Sequence, residues 1–237
     1  WHDSQLGCIV DVVNHWHRFQ QKHPDKQGLM LASNWEQVNQ LSNRARALFQ
    51  AEGKVGTENV PLSCWVADRK MDFQFSSGDR IKLTKNDYRK GLTNGTLGSI
   101  TGLEHLNDGS VQIEIKEDSG KKISINSHEY CNDEGQVYMA LGYAMTIYSS
   151  QGSTVNGDTF VLHNSMMDRA STYVAGSRHK ENCHWFVDRA AIDLVDEHQN
   201  DQERLAALAK LMSRDEQPQL TLDYLQQQEP AKEAELE

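Results

Sequence analysis

The sequence predicts an α/β domain, a mostly parallel sheet with helices, carrying an inserted small antiparallel β-barrel. Three observations predict it. The chain up to Gly53 reads helix, strand, helix. The middle reads as short alternating strands separated by turn signals. Long apolar runs and a helical stretch return after Gln136.

Each element follows from its spacing. Ile9, Val12, Val13, Trp16 and Phe19 recur at helical intervals, and His23-Pro24-Asp25 breaks the run. GLMLAS (28–33) has strand length. Asn34 caps a helix over 35–52, with Gln37 as the third residue of a weak capping box. That helix buries Val38, Leu41, Ala45, Leu48 and Phe49, and Gly53 stops it. Phe73 and Phe75 alternate, then IKLT, SITGL, VQIEIK and KKISIN read as strands. Asn94-Gly95, Asn107-Asp108-Gly109 and Asp118-Ser119-Gly120 are the turns between them. Asn94-Gly95-Thr96 also matches a glycosylation sequon, but it reads as a hairpin turn. VYMALGYAMTIY is one apolar run, DTFVLH a buried strand, and 165–177 a helix with Met166, Ala170, Tyr173 and Val174 on one side. Tyr173 is expected to pack. CHWFVD is a strand and AAIDLV helical. ERLAALAKLM is an amphipathic helix, and QQQEPAKEAELE is expected to be disordered. The expected divisions are 1–73 and 136–195 for the two parts of the α/β domain, 74–135 for the barrel, and 196–237 for an acidic tail with one helix.

The 237 residues carry a net charge of −10, which on its face disfavours nucleic acid. The distribution does not. From Asp193 onward 12 acidic residues face 4 basic ones, whereas seven basic residues face four acidic ones within 68–90. Such a basic stripe can bind phosphates or form a solvated strand face. No apolar run approaches the ~20 residues of a membrane span. The four cysteines stand apart, without a C-x-x-C pair, as reduced thiols in a cytoplasmic protein would. The chain begins with Trp1 and shows no leader, so it is expected to be a fragment of a longer protein.

IYSSQGST (147–154) raises the functional question. It is no nucleophile elbow, which needs G-x-S-x-G. A Walker A loop needs G-x-x-x-x-G-K-[ST], and neither Gly53-Lys54-Val55 nor Gly120-Lys121-Lys122 fits. Asp133-Glu134-Gly135-Gln136 has Walker B-like acids but no buried strand before it, and reads as a loop. A complete ATP site is therefore not encoded. Half of one is plausible, because phosphoryl transfer often takes a cation from a neighbouring domain. Arg169 and Arg178 lie on or just past a helix. Arg169 reads equally as a surface ion pair or a site residue.

Three segments in order, LASNWEQVNQLSNRAR, YAMTIYSSQGST and STYVAGSRHK, resemble motifs IV, V and VI of superfamily-one DNA helicases of the RecD-like branch. The inserted segment FSSGDRIKLTKNDYRKGLTNGTLGSI resembles that branch's Src-homology-3-type barrel. The tail resembles the segment beyond the helicase in conjugative relaxase–helicases of the TraA/TraI kind. The resemblance implies a second RecA-like domain, of the P-loop NTPase type, forming the C-terminal helicase portion of a DNA motor. Arg178 would be the arginine finger and Arg46 the motif IV arginine near the nucleotide. Gln151 and Gly152 would form the turn coupling nucleotide to strand. Thr146, Ser153 and Thr154 would lie near DNA, as would Lys82, Lys85 and Asn86 of the basic segment. ATP and Mg2+ would be used in the intact protein, with the Mg2+ ligands outside this chain. Partners would be single-stranded DNA, an upstream first RecA-like domain and, as in the relaxase–helicases, a relaxase domain, with no membrane, in a bacterial cytoplasm. Tyr148 and Ser149 stand where the branch has His-Lys, and Ser42 where motif IV has Asn. The alternative is a non-catalytic module binding nucleic acid or a transfer protein.

Overall fold

A computed structural model describes residues 1–193 and 200–215. Its centre is a four-stranded, all-parallel sheet. In chain order the strands are β1 (Leu29–Ala32), β9 (Ala144–Thr146), β10 (Thr159–Leu162) and β11 (Cys183–Phe186), arranged β11-β10-β1-β9. β1, β9 and β10 are buried at every position, so they read as apolar runs without alternation. Helices α1 (Gln5–Lys22) and α2 (Trp35–Ala51) cover one face, packing Val12, Val13, Trp16, Val38 and Leu41 into a core shared with Met30, Ala144 and Phe160. The opposite face gathers Leu31, Met145, Ile147 and Val161 with Met167 and Ala175 of the α3 region (α3, Arg169–Gly176). Parallel sheet and flanking helices are the architecture the sequence predicts.

The capping chemistry is partly as expected. Gln37 N donates to the Asn34 side chain (3.0 Å), but the Gln37 side-chain Oε1 accepts from Ser33 N rather than closing the box on Asn34. α3 is shorter than the expected 165–177. Asp168 starts it, with a full capping box to Ser171. The expected packing face is corrected accordingly. Met166 precedes the helix and is exposed, and Tyr173 is 73% exposed. Ala175 is the buried position, with Met167 before the helix.

Between α2 and β9 the chain leaves the parallel sheet. β2 (Val60–Val66) and β3 (Arg69–Phe75) form an antiparallel hairpin. The next strands are β4 (Arg80–Leu83), β5 (Leu97–His105), β6 (Val111–Glu117), β7 (Lys122–Asn126) and β8 (Met139–Leu141). They make a five-stranded sheet, ordered β7-β6-β5-β4-β8, in which each neighbouring pair is antiparallel. Ile81, Leu83, Ile100, Ile113, Ile115 and Ile125 bury its core face, continuous with the core under α1 and α2. The turns at Asn107–Gly109 and Asp118–Gly120 fall where expected. Asn94-Gly95 instead closes the base of a longer excursion between β4 and β5, with Gly95 N donating to the Leu83 carbonyl.

VYMALGYAMTIY is two strands, not one run. β8 pairs with β4 and β9 pairs with β1. The crossing passes at Gly142, where a Cβ would come within 2.7 Å of the Ile81 backbone, so only glycine lets the two sheets sit this close. α4 (Arg189–Asp193) and α5 (Asp201–Met212) follow β11, bringing Ile192 and Leu208 together under Val187. The QQQEPAKEAELE segment lies outside the described residues.

The β2–β3 turn is Ala67-Asp68, both at positive φ (51° and 58°). A two-residue hairpin wants this geometry, but Asn-Gly supplies it without the Cβ clash. Replacing the pair, Ala67→Asn with Asp68→Gly, is expected to stabilise the chain by about 1 kcal/mol. Urea melts would read the gain, and an unchanged or lower midpoint would count against the strain.

Candidate nucleotide-coupling and nucleic-acid site

The IYSSQGST segment leaves the end of β9 as a tight turn held by its own hydroxyls. Ser149 N donates to Thr146 Oγ1 (3.1 Å), and the two hydroxyl oxygens lie 2.9 Å apart. Ser150 Oγ donates to the Ile147 carbonyl (2.7 Å), and Ser153 Oγ to the Ser150 carbonyl (2.6 Å). Small hydroxyl residues suit this, because each can bond the backbone three residues back. Gly152 takes φ 82°, a left-handed conformation that favours glycine. Gln151 and Gly152 are exposed, and Tyr148 is 86% exposed. Thr146 is buried, so its hydroxyl shapes the turn and faces no open surface.

Arg178 is brought onto this turn. It lies two residues beyond α3, and its Nε donates back to the Val174 carbonyl (2.9 Å). Nη1 donates to the Ser153 carbonyl (3.1 Å) and lies 3.5 Å from that of Ser150, while Nη2 donates to Ser177 Oγ (2.8 Å). The backbones are joined as well, since Val155 N donates to the Arg178 carbonyl (2.9 Å). Two segments some 25 residues apart thus share one hydrogen-bonded corner. A planar, forked guanidinium can serve several acceptors at once, which an ammonium cannot do with the same geometry. Arg169 forms an exposed ion pair with Asp215 (2.8 Å).

Arg46 is elsewhere. It is 7% exposed, on the inner face of α2. Its Nε donates to Asp79 Oδ2 (2.7 Å), and Nη2 donates to Asn59 Oδ1 (2.6 Å) and Ser76 Oγ (2.7 Å). Asp79 is fully buried and also accepts from Ser76 N and from the Tyr143 hydroxyl. Burial, and then the Asp79 carboxylate, push the Tyr143 hydroxyl well above the usual tyrosine range. The cluster ties α2 to the start of β4 and to the crossing after Gly142. Arg46 and Arg178 share no partner, so this arrangement does not turn Arg46 toward the Arg178 corner.

Lys82 and Lys85 of the basic segment, together with Asp68, line a cleft of about 400 Å³ beside the β2–β3 hairpin and β4, with Trp35, Trp65, Tyr138 and Ser149. Lys85 donates to the Tyr138 hydroxyl (2.7 Å), and its ammonium also lies 4.2 Å from that ring's centroid. Lys82 is 7% exposed, and burial lowers its pKa below the usual lysine value. Asn86 shapes the loop by accepting from Asn94 N (2.7 Å). Ser153 and Thr154 line a different cavity of about 580 Å³, with Trp16, Phe49 and Tyr143. The aromatic residues Trp35, Trp65 and Tyr138 are not among the expected site residues. The signal for Trp65 is the alternation in β2, where Cys64 and Val66 turn inward and Trp65 therefore turns the other way.

Fold and site together define an α/β domain with a parallel sheet, whose glycine turn is bonded to an arginine beyond a helix. The particular relatives agree. The chain is 29% identical over 217 residues to the conjugal transfer protein TraA of Agrobacterium fabrum, covering 92% of this chain and 17% of that protein. It is 32% identical over 107 residues to the ATP-dependent RecD2 DNA helicase of Deinococcus radiodurans, covering 44% of this chain and 13% of that protein. The chain is thus a relative of TraA-type conjugal transfer proteins and RecD-like helicases, as the ordered motifs imply, and spans less than a fifth of their length. Among solved structures it is similar to the Pif1 helicase of Candida albicans (TM-score 0.51, 16% identity, 85% of this chain and 57% of that one). A Bacteroides Pif1 helicase in complex with ADP-AlF3 and single-stranded DNA gives a TM-score of 0.50 at 18% identity, over 86% of this chain and 55% of that one. These likenesses show the α/β fold. No protein-family model matches the chain.

Proposed function

We propose that this chain is the second motor domain of an ATP-dependent DNA helicase acting in conjugative plasmid transfer. Arg178 completes an ATP site whose P-loop and Mg2+ ligands belong to the first RecA-like domain of the longer protein. Gln151 and Gly152 form the turn that passes the nucleotide state to a single DNA strand. The carrying observation is the corner in which Arg178 bonds the Ser153 carbonyl (3.1 Å) of that turn. A cation that holds the turn feels a charge change at the γ-phosphate and can move the turn with it.

The remaining assignments belong to the same reading. Residues 74–135 make the inserted Src-homology-3-type barrel, with 1–73 and 136–195 as the two parts of the RecA-like domain and 196–237 as the acidic tail. The pairing of β8 with β4 extends the antiparallel sheet to Leu141. Lys82 and Lys85, with Ser153 and Thr154 farther along, contact the strand. Arg46 serves as the anchor of the insert. The intact protein works in the bacterial cytoplasm beside a relaxase domain. No helix of the described residues is long and apolar enough to cross a membrane.

ATP turnover separates this from the binding-module alternative. The chain alone is expected to hydrolyse no ATP but to bind single-stranded DNA with strong salt dependence. Joined to the P-loop-bearing part of the longer protein, it should support DNA-stimulated hydrolysis. Turnover by the isolated chain that Arg178→Ala abolishes would refute the half-site, and no turnover in the joined protein would leave the module.

A further inference from the structure

α3 leads into Arg178, yet little packing fixes α3 itself. Ala175 is its one buried residue, with Val174 packed partly against the same core. An eight-residue helix, about 12 Å long, is too short to hold its place by propensity and takes it from tertiary contacts. Its C-terminal end is tied to the glycine turn through the Arg178 corner. Its N-terminal end is tied by residues that arrive from a different helix.

That helix is α5. The chain just past its end lays Arg214 and Asp215 across the start of α3. The Arg214 carbonyl accepts from Arg169 N (2.9 Å), a first-turn donor that the helix itself cannot satisfy. Arg214 Nη2 donates to the Ser165 carbonyl (2.6 Å) and lies 3.4 Å from that of Met167, while Nε donates back to the Leu211 carbonyl of α5 (3.2 Å). Asp215 pairs with Arg169 (2.8 Å), but both are exposed and the pair adds little. The forked guanidinium is therefore the main tie, bridging α5 to the segment that enters α3. α5 has a firm base of its own. Leu208 packs with Ile192 and Val187, and Arg204 pairs with Asp193 of α4 (2.9 Å). His163, 6% exposed at the end of β10, leaves its Nε2 without a hydrogen-bond partner among the described residues. Burial, and then the Arg214 charge, bring its pKa down to about 4, so this ring is neutral at neutral pH and does not repel the guanidinium.

We propose that Arg214 is a positioning residue for Arg178, the tie through which α5 fixes the axis of α3 and hence the guanidinium beyond its far end. It rests on the reading of Arg178 as the cation at the γ-phosphate and deepens it. The lever arm gives the scale. A tilt of roughly 5° about the start of a helix about 12 Å long moves its other end by about 1 Å. A misplacement of that size can cost about 10²-fold in rate. The Arg178 corner fixes the arginine against the glycine turn, and the Arg214 tie fixes the other end of the same helix against the end of β10.

The test uses the longer protein with both motor domains and compares Arg214→Ala, Arg178→Ala and the double variant in steady-state ATP hydrolysis. Arg214→Ala is expected to lower kcat by about 10–10²-fold while KM for ATP stays within about three-fold, because alignment is lost and ground-state binding is not. In the Arg178→Ala background the same change should cost nothing further, because Arg214 acts only through Arg178. Arg214→Lys should recover part of the loss, since an ammonium reaches one carbonyl but cannot span the fork. Should Arg214→Ala fail to fold, Arg214→Lys carries the same cycle. A kcat within about three-fold of wild type for the folded Arg214 variant would overturn the inference and leave Arg178 its role. An equal further loss on top of Arg178→Ala would also overturn it, because the residue would then serve the fold at large. Normal turnover by Arg178→Ala alone would instead remove the reading on which the inference rests.

Discussion

Arg178→Ala, introduced into the longer protein with both motor domains, is expected to cut DNA-stimulated ATP turnover by about 10³-fold or more. Two losses coincide. The γ-phosphate loses a neutralising cation, and the glycine turn loses a donor to its Ser153 carbonyl. The fold should survive at a cost of about 1–3 kcal/mol, since Arg178 is half-exposed and its bonds to Val174, Ser153 and Ser177 compete with water. Arg178→Lys should recover little of the rate. An ammonium restores the charge, but it cannot reproduce a planar fork that spans Val174, Ser153 and Ser177 together. The measurement is the steady-state rate at saturating ATP and DNA, with a melting curve beside it. Turnover within about three-fold of wild type would remove Arg178 from the nucleotide site.

How far the sequence could reach is clearest where it failed. α1, α2, β1 and β10 were legible because each buries one stripe or one whole strand, and periodicity or its absence records that. β2 was hidden. It carries Pro61, and its turn is Ala67-Asp68, without the glycine or asparagine that marks a tight hairpin. β8 and β9 were fused into one run because both are buried on every side, and no residue pattern says which sheet a fully buried strand joins. Tyr173 was read into one stripe with Ala170 and Val174, but the helix starts only at Arg169 and the stripe splits: Val174 packs against the core, while Ala170 and Tyr173 are exposed.

The site divides in the same way. The glycine turn and Arg178 were readable as motifs, because local chemistry sets both: hydroxyls that bond back three residues, and an arginine just past a capped helix. Their mutual hydrogen bond was not readable, since it spans 25 residues. Nor was the fate of Arg46, whose acceptors lie 13 to 33 residues downstream. The sequence marks an arginine on a helix, and only the fold shows a buried carboxylate waiting for it.

That burial carries the second large prediction. Arg46→Met should destabilise the chain by about 3–5 kcal/mol, because it leaves Asp79 buried without its cation. Tyr143 and Ser76 still donate to the carboxylate, but two neutral donors do not balance a full charge in this environment. Asp79→Asn should cost a comparable amount by stranding the guanidinium. Together the two changes should cost less than their sum, with a coupling of about 2 kcal/mol or more. Urea melts of the four proteins measure it, and a coupling below about 1 kcal/mol would show that the pair does not hold the insert on α2. The same variants decide what Arg46 does for the motor. An anchor loses activity only as the fold is lost, so Arg46→Met should turn over ATP normally at temperatures where the joined protein remains folded. A nucleotide-facing arginine behaves oppositely, losing turnover while the melt is unchanged. The geometry favours the anchor, because a guanidinium bonded to Asp79, Asn59 and Ser76 would have to give up a buried ion pair to reach a phosphate.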